Sequence, residues 1–252
     1  GSVGEMYGYL NDGRYEVSDF ERYDEASGTW ILKDGVADNS TIVGNLSPGM
    51  LKLKNLNPEK DNKVTTEDQK IIGNANPKNT GGLTINGHVY GFDLTAAFNW
   101  SYGNDIYNAN KIEYTTSTVR YQYRNLIDMM GEGKRWKSVD DATGQLVTDA
   151  ATLNSMNANT TLWSPYMGRY VFSDWAVEDG SFLRLNTLTL GYTLPSNITN
   201  NWKSENLRFY VTGYNVFVFT NYSGFDPEVS TRRKTALTPG VDYSAYPRSR
   251  QL

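Results

Sequence analysis

The chain has 252 residues, a net charge of −4 and a mean hydropathy of −0.56. It contains no cysteine, which excludes disulfides, thiolate metal sites and a cysteine nucleophile. With His88 as its single histidine, a histidine-based triad or metal cluster is not expected, and the mixed charges lack the basic footprint of a nucleic-acid binder. We therefore expect that the protein is neither an enzyme nor a nucleic-acid-binding protein.

Aromatic residues make up 13% of the chain, with 18 Tyr, 9 Phe and 6 Trp. Many aromatic side chains beside few aliphatic ones favour strands over helices. No apolar run is long enough for a transmembrane helix, but barrel strands alternate and escape hydropathy scans. The composition predicts an all-β chain. It does not decide whether the strands lie in water or in a membrane.

The clearest predicted strand is 92–102. Its apolar residues share one parity: Phe92, Leu94, Ala96, Phe98, Trp100 and Tyr102. Because successive strand side chains point to opposite faces, this pattern predicts one apolar and one polar face. The segment is long enough to cross a bilayer at a tilt, and Trp100 and Tyr102 lie at one end, where outer-membrane barrels carry an aromatic girdle.

Three further segments alternate and are predicted strands: 83–90, 187–194 and 206–219. A tight turn near residues 90–91 joins the first of them to 92–102. About ten residues join the last two strands, whereas roughly 80 residues separate the two hairpins, a length that is normally functional. Short turns on one side and long loops on the other are typical of outer-membrane barrels.

Leu183 and Leu185 precede the strand 187–194 but carry the opposite phase of alternation. We therefore expect a bulge or a strand start near Asn186. Pro195 is expected to end this strand, because proline cannot donate to the ladder.

A helix is predicted at 117–130, inside the long loop. Leu126, Ile127 and Met130 fall on one helical stripe, and Gly131 can end the helix. Its apolar stripe needs a surface to pack on.

Six runs resemble, in order, those of the SusC/RagA family of TonB-dependent outer-membrane transporters: 3–13, 76–82, 90–94, 102–108, 182–195 and 214–229. The run FLRLNTLTLGYTLP at 182–195 is a close match to a barrel strand of that family. One such run would be a weak signal, but the six are collinear and span nearly the whole chain. The resemblance is to the C-terminal part of the barrel.

The resemblance implies an all-β fold of antiparallel strands forming part of a large outer-membrane β-barrel of the roughly 22-stranded type, with long extracellular loops containing a short helix. It divides the chain into an extracellular loop region with an EF-hand-like turn at 1–80 and barrel strands with long loops at 81–252. It further implies a location in the cell outer membrane, contact with outer-membrane lipid, and active import of oligosaccharides or peptides. The implied partners are TonB, through regions that this chain lacks, and a SusD-like surface lipoprotein that caps the barrel. Four strands alone cannot close a barrel.

The loop 57–68 has EF-hand-like spacing. Its candidate ligands, with Lys63 acting through its carbonyl, are Asn57, Glu59, Asp61, Lys63, Thr65 and Asp68. Asn62 replaces the turning glycine, a position that asparagine tolerates. Ca²⁺ takes six to eight oxygens in a flexible loop. The loop is either a calcium site or a solvated acidic turn that keeps its shape without metal.

The long loop also carries a group of aromatic residues: Trp136, Trp163, Tyr166, Tyr170 and Trp175. They either contact a sugar or peptide cargo or the lipoprotein, or they form a packed loop core.

Three further features are interpreted without a catalytic role. Asp226 and Glu228 could form a carboxylate pair, but glycosidase catalysis needs the pair to be held in a cleft, and adjacent acids on a loop are usually solvated. The basic run at 232–234 is a solvated loop or contacts anionic lipid headgroups. His88 lies on the polar parity and is predicted to face the barrel lumen.

The alternative to the transporter is a soluble all-β carbohydrate-binding module. In such a module the apolar parities of the strands would be buried in a sandwich core, whereas in the barrel they face lipid. Local alternation does not separate the two, because sandwich strands alternate as well.

Overall fold

The computed structural model describes residues 1–117, 125–166, 171–202, 204–229, 238–246 and 248–252. The described strands are β1 (Glu5–Gly8), β2 (Asn11–Arg14), β3 (Phe20–Asp24), β4 (Thr29–Leu32), β5 (Leu51–Leu53), β6 (Lys70–Asn74), β7 (Asn79–Val89), β8 (Phe92–Tyr102), β9 (Asp105–Asn108), β10 (Val177–Asp179), β11 (Phe182–Thr193), β12 (Arg208–Thr220) and β13 (Val241–Asp242). The described α-helices are α1 (Ser40–Val43), α2 (Ala109–Glu113), α3 (Ala150–Asn157) and α4 (Ser196–Thr199). Short 3₁₀ turns lie at Val17–Asp19, Thr66–Asp68, Asp128–Met130, Asp174–Ala176 and Asn200–Trp202. Among the described residues, no helix has the length and apolar character needed to span a membrane.

The chain forms two compact units. The sheet unit contains residues 1–5, 74–107 and 178–252, and the loop unit contains residues 6–73 and 108–177. The loop unit thus combines residues 6–73 with the long segment that precedes β10, and the division of the chain at residue 80 stays a prediction.

The sheet unit is built on a four-stranded sheet in the order β12-β11-β8-β7. The pairs β7–β8, β8–β11 and β11–β12 are all antiparallel. The predicted strand 92–102 is confirmed at both ends, and the other three predicted strands are confirmed with β7 and β11 beginning four and five residues earlier than predicted. A three-stranded sheet of order β10-β9-β13 completes the unit.

The predicted tight turn between β7 and β8 is confirmed. Tyr90 and Gly91 connect the strands with φ angles of 49° and 85°. Positive φ at both central positions is the geometry of the two-residue turn whose twist matches the flanking strands.

The predicted bulge at Asn186 is also confirmed. Leu185 pairs with Phe98 and Thr187 with the adjacent Ala97, so Asn186 is an extra residue in β11. The extra residue inverts the alternation, and the leucines on both sides of it therefore reach the same face of the sheet.

The loop unit holds three two-stranded sheets, which pair β1 with β6, β2 with β5, and β3 with β4. The buried side chains of its larger core come from both segments of the unit: Tyr9, Val43, Leu51, Leu53, Val64, Met130, Trp163 and Val171. A smaller cluster contains Val17, Trp136 and Leu153.

The helix predicted at 117–130 is wrong in its described part. Residues 125–127 are not helical, and only Asp128–Met130 forms a 3₁₀ turn, while 118–124 lie outside the described residues. Met130 is fully buried, and Leu126 packs on the same core. The apolar side chains thus serve the core of the loop unit without a helix, and the short helices of the long loop lie elsewhere, in α2 and α3.

Candidate functional site

One face of the four-stranded sheet is apolar and exposed. Paired residues of neighbouring strands share a face, so the register aligns the apolar parities of all four strands. The exposed side chains on this face include Leu83, Ile85, Val89, Phe92, Leu94, Leu190, Phe209, Val211 and Phe219. A soluble sandwich would bury such a face against a second sheet.

The opposite face carries polar side chains that hydrogen bond across the strands. Thr95 Oγ1 donates to Asn86 Oδ1 at 2.9 Å, and the hydroxyls of Thr189 and Thr212 lie 2.9 Å apart. His88 belongs to this face, since it pairs with Asp93 in the register. Its predicted position on the polar parity is therefore confirmed. That this face lines a barrel lumen stays a prediction.

An ion pair crosses this polar face above Gly191. Arg208 Nε and Nη2 donate to the two carboxylate oxygens of Asp93 at 2.9 and 2.5 Å. A Cβ atom at Gly191 would lie 2.5 Å from an atom of each partner. Because Gly191 has no side chain, the bidentate pair of Arg208 and Asp93 has room to cross over β11.

Aromatic side chains mark one end of the sheet. Trp100 Nε1 donates to Asn79 Oδ1 at 2.8 Å, and Tyr102 at the end of β8 is exposed. A groove of about 670 Å³ lies here, lined also by Leu183 and Phe219. Amphipathic rings that combine an apolar body with a satisfied polar edge suit the border between lipid and water.

A buried arginine lies on the polar face of β11. Arg184 Nη2 lies 2.6 Å from Asp226 Oδ1, its Nη1 donates to Asn215 Oδ1, and its Nε lies 2.8 Å from Glu228 Oε2 in an ion pair without hydrogen-bond geometry. Arg248 Nη1 in turn lies 3.0 Å from Glu228 Oε2. Two cations and two carboxylates thus compensate one another in a site where a single charge would be costly.

The loop that follows β12 is fixed to the rest of the sheet unit at a second point. The Tyr222 hydroxyl donates to Asp242 Oδ2 at 2.6 Å. Burial raises the pKa of Tyr222 above its usual range, and this hydrogen bond raises the pKa further by a smaller amount. The phenol therefore stays protonated. Ser223 adds two hydrogen bonds of 2.9 Å to the carboxylate of Glu178.

Sequence reasoning identified Asp226 and Glu228 but missed Arg184 and Arg248 as their partners. The available signal was Arg184 itself, a permanent charge in the middle of an apolar strand, which requires a carboxylate when buried. The non-catalytic interpretation of Asp226 and Glu228 agrees with this use, because both carboxylates are engaged by guanidinium groups.

The EF-hand-like loop is held by hydrogen bonds. Asp68 is buried; its Oδ1 accepts from the Leu56 amide at 2.8 Å and its Oδ2 from the Thr65 amide at 2.7 Å. Asp61 Oδ1 accepts from the Lys63 amide at 2.8 Å. Within the described part of the chain, no three His, Cys, Asp or Glu side chains are grouped so that they could hold a metal ion.

Two other candidate ligands of that loop also differ from a calcium arrangement. Asn57 Nδ2 donates to Asp68 Oδ1 at 3.4 Å, and the Glu59 side chain is exposed. The side chains as arranged do not fit calcium. The protein groups account for the shape of the loop, and calcium binding there stays a prediction.

The aromatic residues of the long loop divide into a buried and an exposed set. Trp136 and Trp163 are buried in the two core clusters, and Trp175 packs edge-on against Trp163 at 4.5 Å between ring centroids. Tyr166 is 75% exposed. Tyr170 lies outside the described residues, as does the basic run at 232–234.

The packed-core alternative therefore describes the buried Trp136 and Trp163, and Trp175 is partly buried against the same core as Trp163. Lys111 Nζ lies 4.4 Å from the ring centroid of Trp175 and fixes it further. Contact with cargo or lipoprotein stays a prediction for Tyr166, whose side chain is accessible.

Comparison with known proteins places these features in context. No family model matches the chain. The TonB-dependent receptor P3 of Formosa agariphila is 27% identical over 253 residues, which cover 99% of this chain and 21% of the receptor. The TonB-dependent receptor SusC of Bacteroides thetaiotaomicron is 32% identical over 113 residues, covering 43% of this chain and 10% of SusC. The chain thus spans about a fifth or less of the length of these two relatives.

Solved structures give the same picture at the level of the fold. The RagAB peptide importer in its closed-closed state matches with a TM-score of 0.54 and 20% identity, over 98% of this chain and 22% of that one. Its open-open state matches with a TM-score of 0.53. This likeness confirms the predicted fold class, with antiparallel strands arranged as in part of a large barrel.

Proposed function

We propose that this chain, a chain of the SusC/RagA type of TonB-dependent transporters, forms part of an outer-membrane barrel that imports nutrients. One observation carries the proposal: strands of 11 to 13 residues present an exposed apolar face on one side and a polar face on the other. Exposed to water, so large an apolar face would be unfavourable, whereas a bilayer solvates it. The proposal includes no enzymatic step.

The cargo and the partners are finer parts of the same proposal. We propose oligosaccharides or peptides as cargo, TonB as the source of energy and a SusD-like surface lipoprotein as the cap. The SusC/RagA resemblance supports all three, and the name of the RagAB peptide importer supports a peptide cargo. On this proposal the loop unit lies outside the cell and the polar face of the sheet lines the lumen.

The absence of cysteine from the chain allows a direct test at two adjacent residues. Leu94 is an exposed member of the apolar face, and Thr95 lies on the polar face. In the full-length transporter, a fluorophore on Leu94→Cys should be quenched by a lipid-soluble quencher. The same fluorophore on Thr95→Cys should be quenched by a water-soluble one.

Equal quenching of both positions by the water-soluble reagent would contradict the membrane location and favour the soluble module. The cargo is tested separately by uptake of labelled peptides and oligosaccharides into cells with and without the transporter. Loss of uptake after dissipation of the proton gradient is expected, because TonB draws on that gradient; undiminished uptake would remove TonB from the proposal.

A further inference from the structure

A cavity of about 430 Å³ lies in the loop unit, beside the hairpin of β3 and β4. Three aromatic residues line it, and their rings pack edge to face. The centroids of Phe20 and Trp30 are 5.7 Å apart, and those of Tyr23 and Trp30 are 5.6 Å apart. Phe20 is 3% exposed, so the aromatic wall is anchored in the core of the unit. The volume is within the range of small-ligand sites.

The charged residues that line this cavity are mostly acidic: Glu21, Glu25 and Asp149 against Arg22. Arg22 is the cationic residue among those that line the cavity, and it is already paired within the protein: its Nη1 lies 3.2 Å from Asp24 Oδ1. The cavity therefore presents a negative rim above an aromatic wall.

Two of the three carboxylates are available to a ligand. Asp149 caps α3, since its Oδ2 accepts from the Thr152 amide at 2.8 Å. Glu21 and Glu25 are exposed, and neither carboxylate has a hydrogen bond or ion pair within the described ranges of the chain. Both therefore keep their full capacity to accept hydrogen bonds from a bound cation.

We propose that this cavity binds a lysine or arginine side chain of a peptide, an inference that rests on the proposed import of peptides. The aliphatic stem of such a side chain would pack on the rings of Tyr23 and Trp30, and its cationic end would meet Glu21 and Glu25. Cation–π attraction and charge-assisted hydrogen bonds act together in this arrangement. A neutral sugar can stack on the same rings but gains no charge pairing.

Calorimetry on the detergent-solubilised full-length transporter tests this proposal with three probes: Lys-Lys-Lys, Ala-Ala-Ala and maltotriose. We expect Lys-Lys-Lys to bind more tightly than the two neutral probes, with an affinity that falls as salt is raised. The double variant Glu21→Gln/Glu25→Gln should weaken Lys-Lys-Lys binding by about tenfold or more. Glu132→Gln, an exposed glutamate of the same unit that does not line the cavity, should leave it unchanged.

Equal binding of Lys-Lys-Lys and Ala-Ala-Ala, tighter binding of maltotriose, or an unchanged affinity in the double variant would overturn the cation site. The quenching contrast between Leu94→Cys and Thr95→Cys, measured in the same preparation, reports the membrane location independently. A lost contrast would remove the proposed function, whereas a retained contrast without lysine selectivity removes the cation site alone.

Discussion

Arg184 Nη2 and Asp226 Oδ1 lie 2.6 Å apart, with side chains that are 2% and 7% exposed. The two residues are 42 positions apart in sequence and connect the middle of the sheet to the loop beyond β12. Removing one partner of a buried pair costs far more than removing both, because a single uncompensated charge remains. Arg184 therefore fixes that loop to the polar face of the sheet.

Substitution of Arg184 should destabilise the protein strongly. Arg184→Gln leaves two carboxylates near one remaining guanidinium, and we expect a loss of about 3–5 kcal/mol in the free energy of unfolding. The Tm of the detergent-solubilised protein measures it. Arg208→Gln, which breaks a partly exposed pair, is the control and should lower Tm less. Equal effects of the two variants would contradict the compensation of buried charge.

The bulge at Asn186 should be essential for assembly, although its side chain is not. Deletion of Asn186 would shift β11 by one residue, and Leu183 and Leu185 would then point to the polar face. We expect the deletion variant to be missing from the outer-membrane fraction. Asn186→Ala keeps the residue count and should assemble normally, which fractionation followed by immunoblotting checks. A deletion variant that assembles as well as Asn186→Ala would show that the register tolerates the shift.

The aromatic residues of the long loop should separate into those that maintain stability and those that do not. Trp136 is 2% exposed, and its alanine variant should lose about 3–5 kcal/mol through the cavity that it leaves. Tyr166→Ala removes an accessible ring and should leave Tm nearly unchanged. If Tyr166 contacts cargo or lipoprotein, the variant weakens binding alone; a large loss of Tm in Tyr166→Ala would instead assign it to the core.

The EF-hand-like loop should depend on Asp68 and not on calcium. Asp68→Ala leaves the amides of Leu56 and Thr65 without their acceptor, at a cost of about 1–3 kcal/mol. Because these hydrogen bonds hold the loop, Tm should be the same in millimolar calcium and in chelator. A rise in Tm with calcium that disappears in Asp61→Asn would establish the calcium site in place of the metal-free turn.

The start of α3 should be sensitive to acid. Hydrogen bonds from the Thr152 side chain and amide lower the pKa of Asp149 below its ordinary value of 3.8. The cap therefore stabilises the helix at pH values above 3.8, and this contribution is lost as pH falls through the lowered value. Amide protection at Thr152 should follow that course. Asp149→Asn, a neutral cap, should show no such pH dependence, and an acid-sensitive Asp149→Asn would assign the effect to another group.

The strands of the sheet unit were predictable because their signals are local. Alternation over 92–102 defined β8, and the phase change at Asn186 located the bulge before any partner strand was known. The early starts of β7 and β11 were missed, since Asn79 and Phe182 extend the pairing by tertiary contact with β8.

The loop unit was less predictable because its core forms between distant segments. Met130 and Leu126 showed helical spacing, yet the core that they enter is completed by Val43 and Leu53 from the other segment. Burial of the tryptophans follows from the same association, and no local pattern distinguishes Trp163 from the exposed Tyr166. The pairing of Arg184 with Asp226 was likewise invisible, since it depends on where the loop after β12 returns.

The composition of the loop unit from residues 6–73 and 108–177 limits how such chains can be recombined. Grafting the second segment alone onto another protein would expose its part of the hydrophobic core and leave the first segment's part without its complement. The two segments therefore form one structural unit, although β7 and β8 separate them in the sequence. Any exchange of these loops between chains would therefore require both segments to move together.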